Sequence, residues 1–100
     1  MGVVRKTISG WGRYPKQTCD LQRPESFAGL RVEAAPCIAR GLGRSYGDAA
    51  LNGDGRVLLT ERVNRLLSFD AGNGVLRAEA GVTLEEVLRL FVPRGWFPCV

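Results

Sequence analysis

Residues 74–81, GVLRAEAG, set Val75, Arg77 and Glu79 against Leu76, Ala78 and Ala80, which is the two-residue period of a half-buried strand. The run LLSFD stops just before AGNG (71–74), so the pattern predicts a hairpin with that tetrapeptide as its turn. RVLLT (56–60) is a short apolar run of strand character, and Cys37 to Arg40 reads as a buried strand whose start Pro36 confines. From Thr83 to about Arg94 the period lengthens. Leu84, Val87, Leu88 and Phe91 share one face of a helix, Thr83 and Glu86 make a capping box, Glu85 and Arg89 pair across a turn, and Gly95 ends it. RPESFAGL predicts a short helix with Pro24 in its first position and Gly29 near its exit. Residues 1–20 carry no period and read as an extended arm with a turn around SGWGRYP, anchored by Trp11 and Tyr14. WFPCV begins another extended segment. The order of short helix, strand, loop, strand, hairpin, helix and strand predicts an α+β chain.

Composition narrows the classes open to this chain. One hundred residues allow one domain, and no apolar run approaches the roughly 18 residues of a membrane span. MGVVRKTISGWGRYPK breaks the apolar continuity that a secretory signal needs, and Lys6 spoils a lipidation signal at Gly2. A cytoplasmic location is the expectation. Cys19, Cys37 and Cys99 are widely spaced with no C-x-x-C pair, and so read as free thiols in a reducing compartment. The absence of histidine argues against zinc and Ser-His-Asp chemistry, and no metal site is expected. The net charge of +4 lies wholly in residues 1–40, where seven Lys/Arg face three Asp/Glu; the remainder holds seven of each. That bias has two readings. It is a solvated basic face, or it is a small basic module whose Arg5, Lys6, Arg13 and Lys16 contact nucleic acid or an anionic surface without redox activity.

The candidate chemistry sits in ARGLGRSYGDAALNGDG (39–55), which holds five glycines and two arginines. Successive glycines let backbone N–H groups converge on one anion, and Arg40 and Arg44 add charge that phosphate oxygens accept from. The Walker pattern is absent because no Lys follows these glycines. The dinucleotide fingerprint also fails, since Gly41, Gly43 and Gly47 give G-x-G-x-x-x-G ahead of a poor helix start. From the residues alone, a phosphate or nucleotide cradle and a structural turn both remain open.

The same stretch resembles the first pyrophosphate-binding loop of the flavin-dependent oxidases of the vanillyl-alcohol oxidase, or p-cresol methylhydroxylase, type. The branch it is most similar to contains the decaprenylphosphoryl-β-D-ribose, sugar-lactone and alditol oxidases. SGWGRYP, RPES and AEAGVTLEEVL agree with that family in order, so the resemblance covers most of the chain. It implies the N-terminal lobe of a p-cresol methylhydroxylase-type FAD-binding domain, a small mixed sheet with flanking helices, with 1–20 as the arm and 21–100 as the first part of the domain. Carried over residue by residue, the cofactor contacts are Ala39, Arg40, Gly41, Leu42, Gly43, Arg44, Ser45, Tyr46, Gly47, Asp48 and Ala49, mostly through main chain. Ser45 adds a hydroxyl, and Asp48 either bonds back to loop amides or simply forms a turn. Covalently flavinylated relatives carry a histidine in this loop, so Tyr46 implies FAD held without a covalent bond.

Further residues have quieter readings: Asn52 forms the NGDG turn rather than a flavin contact, Gly81 gives a tight strand-to-helix turn, and Trp11 and Trp96 are packing aromatics. Glu85 and Glu86 are no acid–base pair, because adjacent helix positions do not face each other. The resemblance further implies an oxidoreductase that takes a hydride from a CH–OH group of a sugar, polyol or polyprenyl-phospho-sugar; nucleic acid is not among the expected partners. The family's second phosphate-binding stretch and its substrate domain follow the point where this sequence stops. The chain is therefore read as the N-terminal portion of a larger flavoenzyme, inactive by itself and with apolar surface exposed, and catalytic residues are not assigned. Membrane association of that larger protein stays open.

Overall fold

The computed structural model describes residues 2–29 and 36–99. β1 (Val3–Ser9) and β2 (Lys16–Gln22) form an antiparallel hairpin in which Val3 faces Gln22 and Ser9 faces Lys16. β3 (Cys37–Arg40) and β4 (Arg56–Leu59) are parallel neighbours, with Cys37 opposite Arg56 and Arg40 opposite Leu59. β2 joins β4 in parallel through Asp20, Leu21 and Gln22, so the mixed sheet runs β1-β2-β4-β3. The stretch read from sequence as an extended arm is thus two strands of the sheet. β1 lies at the edge and only Ile8 and Ser9 are half-buried, so burial imposes no alternation on most of it. β2 does alternate, with Cys19 and Leu21 buried between more exposed neighbours.

β4 has strands on both sides, and Val57, Leu58 and Leu59 are all buried. Cys19, Leu21, Val57 and Leu59 make one cluster with Ile8 packed against it. The three cysteines are unpaired, and Cys19 is fully enclosed in that cluster. Directly opposite Asp20 across the hairpin, Arg5 donates to its carboxylate at 2.9 Å and also bonds Asp54. Those hydrogen bonds, Asp20 first and Asp54 second, hold the guanidinium above its ordinary pKa. The pair is exposed and contributes little to stability.

β5 (Leu66–Asp70) and β6 (Val75–Ala78) form the expected hairpin, with residues 71–74 as its turn. The Asp70 carboxylate ties that turn by accepting from the Gly72 N–H at 2.9 Å, the Asn73 N–H at 3.3 Å and the Asn73 amide at 2.9 Å. The Asn73 side chain, followed by the two N–H groups, holds this carboxyl below its ordinary value. Gly81 joins this hairpin to the sheet. Its N–H donates to Val63 O at 2.8 Å, and a Cβ there would lie 2.7 Å from that same oxygen.

α1 (Leu84–Phe91) starts with both halves of the capping box: the Glu86 N–H donates to Thr83 Oγ1 and the Thr83 N–H to the Glu86 carboxylate, each at 3.2 Å. Arg89 donates to Glu85 at 2.7 Å. The helix was expected to reach about Arg94, yet Val92–Arg94 is a 3-10 turn. Pro93 has no N–H to return to the preceding turn, so the α ladder stops before it. Gly95 at φ 87° then closes a Schellman motif, with its N–H on Val92 O and the Trp96 N–H on Phe91 O, both at 3.0 Å. Phe69 packs on Phe91 and Trp96 at ring-centroid distances of 4.7 and 5.2 Å, which fastens hairpin to helix. Leu84 on the helix's apolar face and Phe97 remain exposed, at 69% and 68%.

Two expected elements change character. RPESFAGL yields only the 3-10 turn Phe27–Gly29, with Pro24 fully buried ahead of it, and residues 30–35 lie outside the described set. So short a stretch does not recover the cost of helix nucleation. Residues 96–99 form no strand, because no described strand lies alongside to pair with them. Among the described residues, no helix is long and apolar enough to cross a membrane.

Thr83→Ala removes the N-cap acceptor and is expected to cost about 1 kcal/mol in denaturant unfolding. For Asp70 the sign follows from its lowered folded pKa. Its contribution to stability is fully present above the ordinary value of 3.8, and is lost as pH falls through the lower folded value. Asp70→Asn should therefore flatten the acid limb of the melting-temperature profile while leaving its shape above neutral pH unchanged.

Candidate functional site

Parallel neighbours cannot be joined by a tight turn, and the chain from β3 to β4 has to cross back over residues 41–55. In most α/β units a helix makes that crossing. Here the glycine-rich loop makes it instead, leaving from the carboxyl end of β3. Gly43 at φ 72° and Gly47 at φ 61° let the chain turn back on itself, and the Leu51 N–H on Asp48 O at 3.0 Å closes its far end. Among the described residues, nothing accepts a hydrogen bond from the backbone N–H groups of Gly41 through Asp48. Residues 44–49 are all exposed, and a Cβ added at Gly41 or Gly47 would point into open space. A run of successive unpaired amides on an open face is the donor set that anion cradles use. Arg44 is exposed and has no ion-pair or hydrogen-bond partner among the described residues, so its charge is available at the same face.

The loop's shape is set from outside its own sequence. β2 pairs with β4 only from Asp20 onward, and the tip of the β1–β2 hairpin lies against the loop. There the Trp11 N–H donates to Ser45 O at 2.9 Å, and the Trp11 ring meets Tyr46 edge-on at a 5.6 Å centroid distance. Gly10 is buried beneath the contact. A Cβ on it would collide with Ser45 O and come within 2.8 Å of Gly47 O. SGWGRYP and RGLGRSYGD, separated by some two dozen residues in sequence, are thus two sides of one contact.

The sequence-derived residues separate by role. Ala39 and Arg40 end β3, and Gly41 to Ala49 run through the crossing. The Arg40 guanidinium turns inward, donating to Ser9 O at 2.7 Å and Ala50 O at 3.2 Å, whereas Arg44 stays outside. Ser45 lends its carbonyl to Trp11, and its hydroxyl has no hydrogen-bond partner among the described residues. The Asp48 carboxylate forms no hydrogen bond to loop amides among the described residues; its carbonyl serves the turn at Leu51. Asn52 behaves as a turn residue, donating to Arg56 O at 3.1 Å. Sequence reasoning missed Gly10 as a close-contact position and Thr60, whose N–H donates to Arg40 O at 3.0 Å. It also missed a cavity of about 300 Å³ where Gly41 and Leu42 meet Thr60, Gly81, Thr83 and Glu86. The neighbouring glycines in SGWG were the one signal that a backbone passes close by.

The FAD binding domain family matches this chain over residues 2–100. Decaprenylphosphoryl-beta-D-ribose oxidase of Mycolicibacterium smegmatis is 37% identical over 105 aligned residues, which cover 96% of this chain and 23% of that protein. The chain thus spans under a quarter of the length of that curated relative.

Gly10→Ala is expected to lower stability by about 1–3 kcal/mol, because the added methyl meets backbone rather than a movable side chain. Hydrogen exchange at the Trp11 amide should accelerate with it. Gly12→Ala, whose methyl meets nothing within 4 Å, is the matched control and should leave both unchanged.

Proposed function

The chain belongs to the FAD binding domain family, with FAD as its cofactor, and from that premise we propose that its glycine loop holds the FAD pyrophosphate in a flavin-dependent oxidoreductase. The substrate we assign is a sugar, polyol or polyprenyl-phospho-sugar oxidised at a CH–OH group; the name of the relative from M. smegmatis supports that class. The observation that carries the reading is the series of N–H groups from Gly41 to Asp48 that have no hydrogen-bond partner among the described residues, in a stretch where every residue but the half-buried Gly43 is exposed.

The residues present fit a pyrophosphate. The amides donate along the anion, the open face over Gly41 and Gly47 admits it, and Arg44 adds a charge-assisted bond at the rim. The Ser45 hydroxyl is free to donate to a further oxygen. FAD, when bound, would supply the acceptor for the hydride of the alcohol carbon, which carries both electrons. The work of these residues is to bind and orient. The resemblance implies a histidine in this loop in covalently flavinylated relatives; this loop has none, and its Tyr46 is engaged by Trp11, so we assign non-covalent binding. The rival reading, a basic module for nucleic acid, loses one of its four cations to the Arg5 contacts with Asp20 and Asp54.

The visible absorbance of the intact native protein, followed by that of its acid-precipitated supernatant, tests both parts. A flavin band that moves into the supernatant is the expected result. A band that stays with the pellet refutes non-covalent binding, and no band from folded protein removes the oxidoreductase reading itself. Arg44→Gln is expected to weaken FAD binding by about tenfold and to reduce its salt dependence, read by flavin fluorescence titration.

A further inference from the structure

Arg40, the last residue of β3, and Arg44, in the loop that follows, stand four residues apart, yet the structure treats them oppositely. The Arg40 guanidinium donates Nη2–H to Ser9 O, the last residue of β1, and Nη1–H to Ala50 O, at the far end of the glycine stretch. Its side chain therefore spans the loop from within and ties it to the β1–β2 hairpin. Gly43 crosses directly over this group: a Cβ there would lie 2.7 Å from Cζ. The planar fork suits two carbonyls in different directions, which a Lys ammonium on its flexible stem does not reproduce. We propose that Arg40 is a positioning residue, fixing the shape of the glycine loop through Ser9 and Ala50 and so setting FAD affinity without contacting the phosphates.

The inference rests on the reading that the loop holds the pyrophosphate. Its test separates shape from charge. Arg40→Lys keeps the charge and loses the two-way bridge, whereas Arg44→Gln removes charge and leaves the bridge. In the intact protein, FAD affinity is measured by fluorescence titration, and hydrogen exchange at the Trp11 and Leu51 amides is measured without flavin. Both amides donate to loop carbonyls, those of Ser45 and Asp48. Arg40→Lys should weaken FAD binding by about tenfold or more and speed exchange at both amides. Arg44→Gln should weaken FAD binding with exchange unchanged. Wild-type affinity in Arg40→Lys, or unchanged exchange at Trp11 and Leu51, overturns the proposal. If Arg40→Lys does not fold, exchange at the Trp11 and Leu51 amides of the wild-type protein with and without flavin decides: equal protection supports a loop fixed in advance, and protection that arises only with flavin overturns the proposal. Failure of the wild-type protein to bind FAD would instead refute the oxidoreductase reading, and the exchange data alone would then decide what Arg40 does.

Discussion

The parallel pairing of β3 with β4 is the constraint from which the rest of the structure follows. Two parallel neighbours need a long return path, and this chain makes it with residues 41–55 rather than with a helix. A helix would have consumed its own amides in an internal ladder. A glycine-rich crossing leaves those of Gly41 to Asp48 without a hydrogen-bond partner among the described residues, at the carboxyl end of a strand. Strand pairing, loop composition and the proposed anion-binding chemistry are one decision expressed at three levels.

The sequence is a good guide where structure is local. The capping box at Thr83 and Glu86, the Glu85–Arg89 pair and the AGNG turn each depend on residues within four positions of one another, and each is present. β4 was legible because it has strands on both sides and is apolar at nearly every position, whereas β3, expected to be a buried strand, lies at the other edge of the sheet with none of its four residues buried. The hairpin at the N-terminus was not, because β1 is an exposed edge and no burial pattern marks it. Pro93 carried a readable signal, a missing N–H, that the apolar face of the helix outweighed in the reading.

The site was half legible for the same reason. Glycines and basic residues left an anion cradle and a structural turn both open, and the resemblance assigned the loop to flavin; neither distinguished Arg40 from Arg44. That difference depends on Ser9, thirty-one residues upstream, whose carbonyl draws one guanidinium inward. Likewise Gly10 looks like any turn glycine until Ser45 and Gly47 are placed above it. Composition reports what a loop can donate. Only tertiary contacts report which donors are left over.

Magnitudes explain why such contacts matter to a loop proposed to bind through its backbone. Ordering one residue's backbone costs roughly 1–2 kcal/mol, so fixing the eight residues 41–48 only on binding would cost on the order of 10 kcal/mol. A nanomolar complex has about 12 kcal/mol in total. A slack loop would thus spend most of its binding free energy on becoming a loop. Gly10 beneath Ser45 and Gly47, Trp11 on Ser45 O, and Arg40 between Ser9 and Ala50 remove that cost in advance, during folding. This also accounts for the two sequence motifs appearing together: the hairpin tip backs the loop through Gly10 and Trp11, and without it the amides would have no fixed direction in which to point.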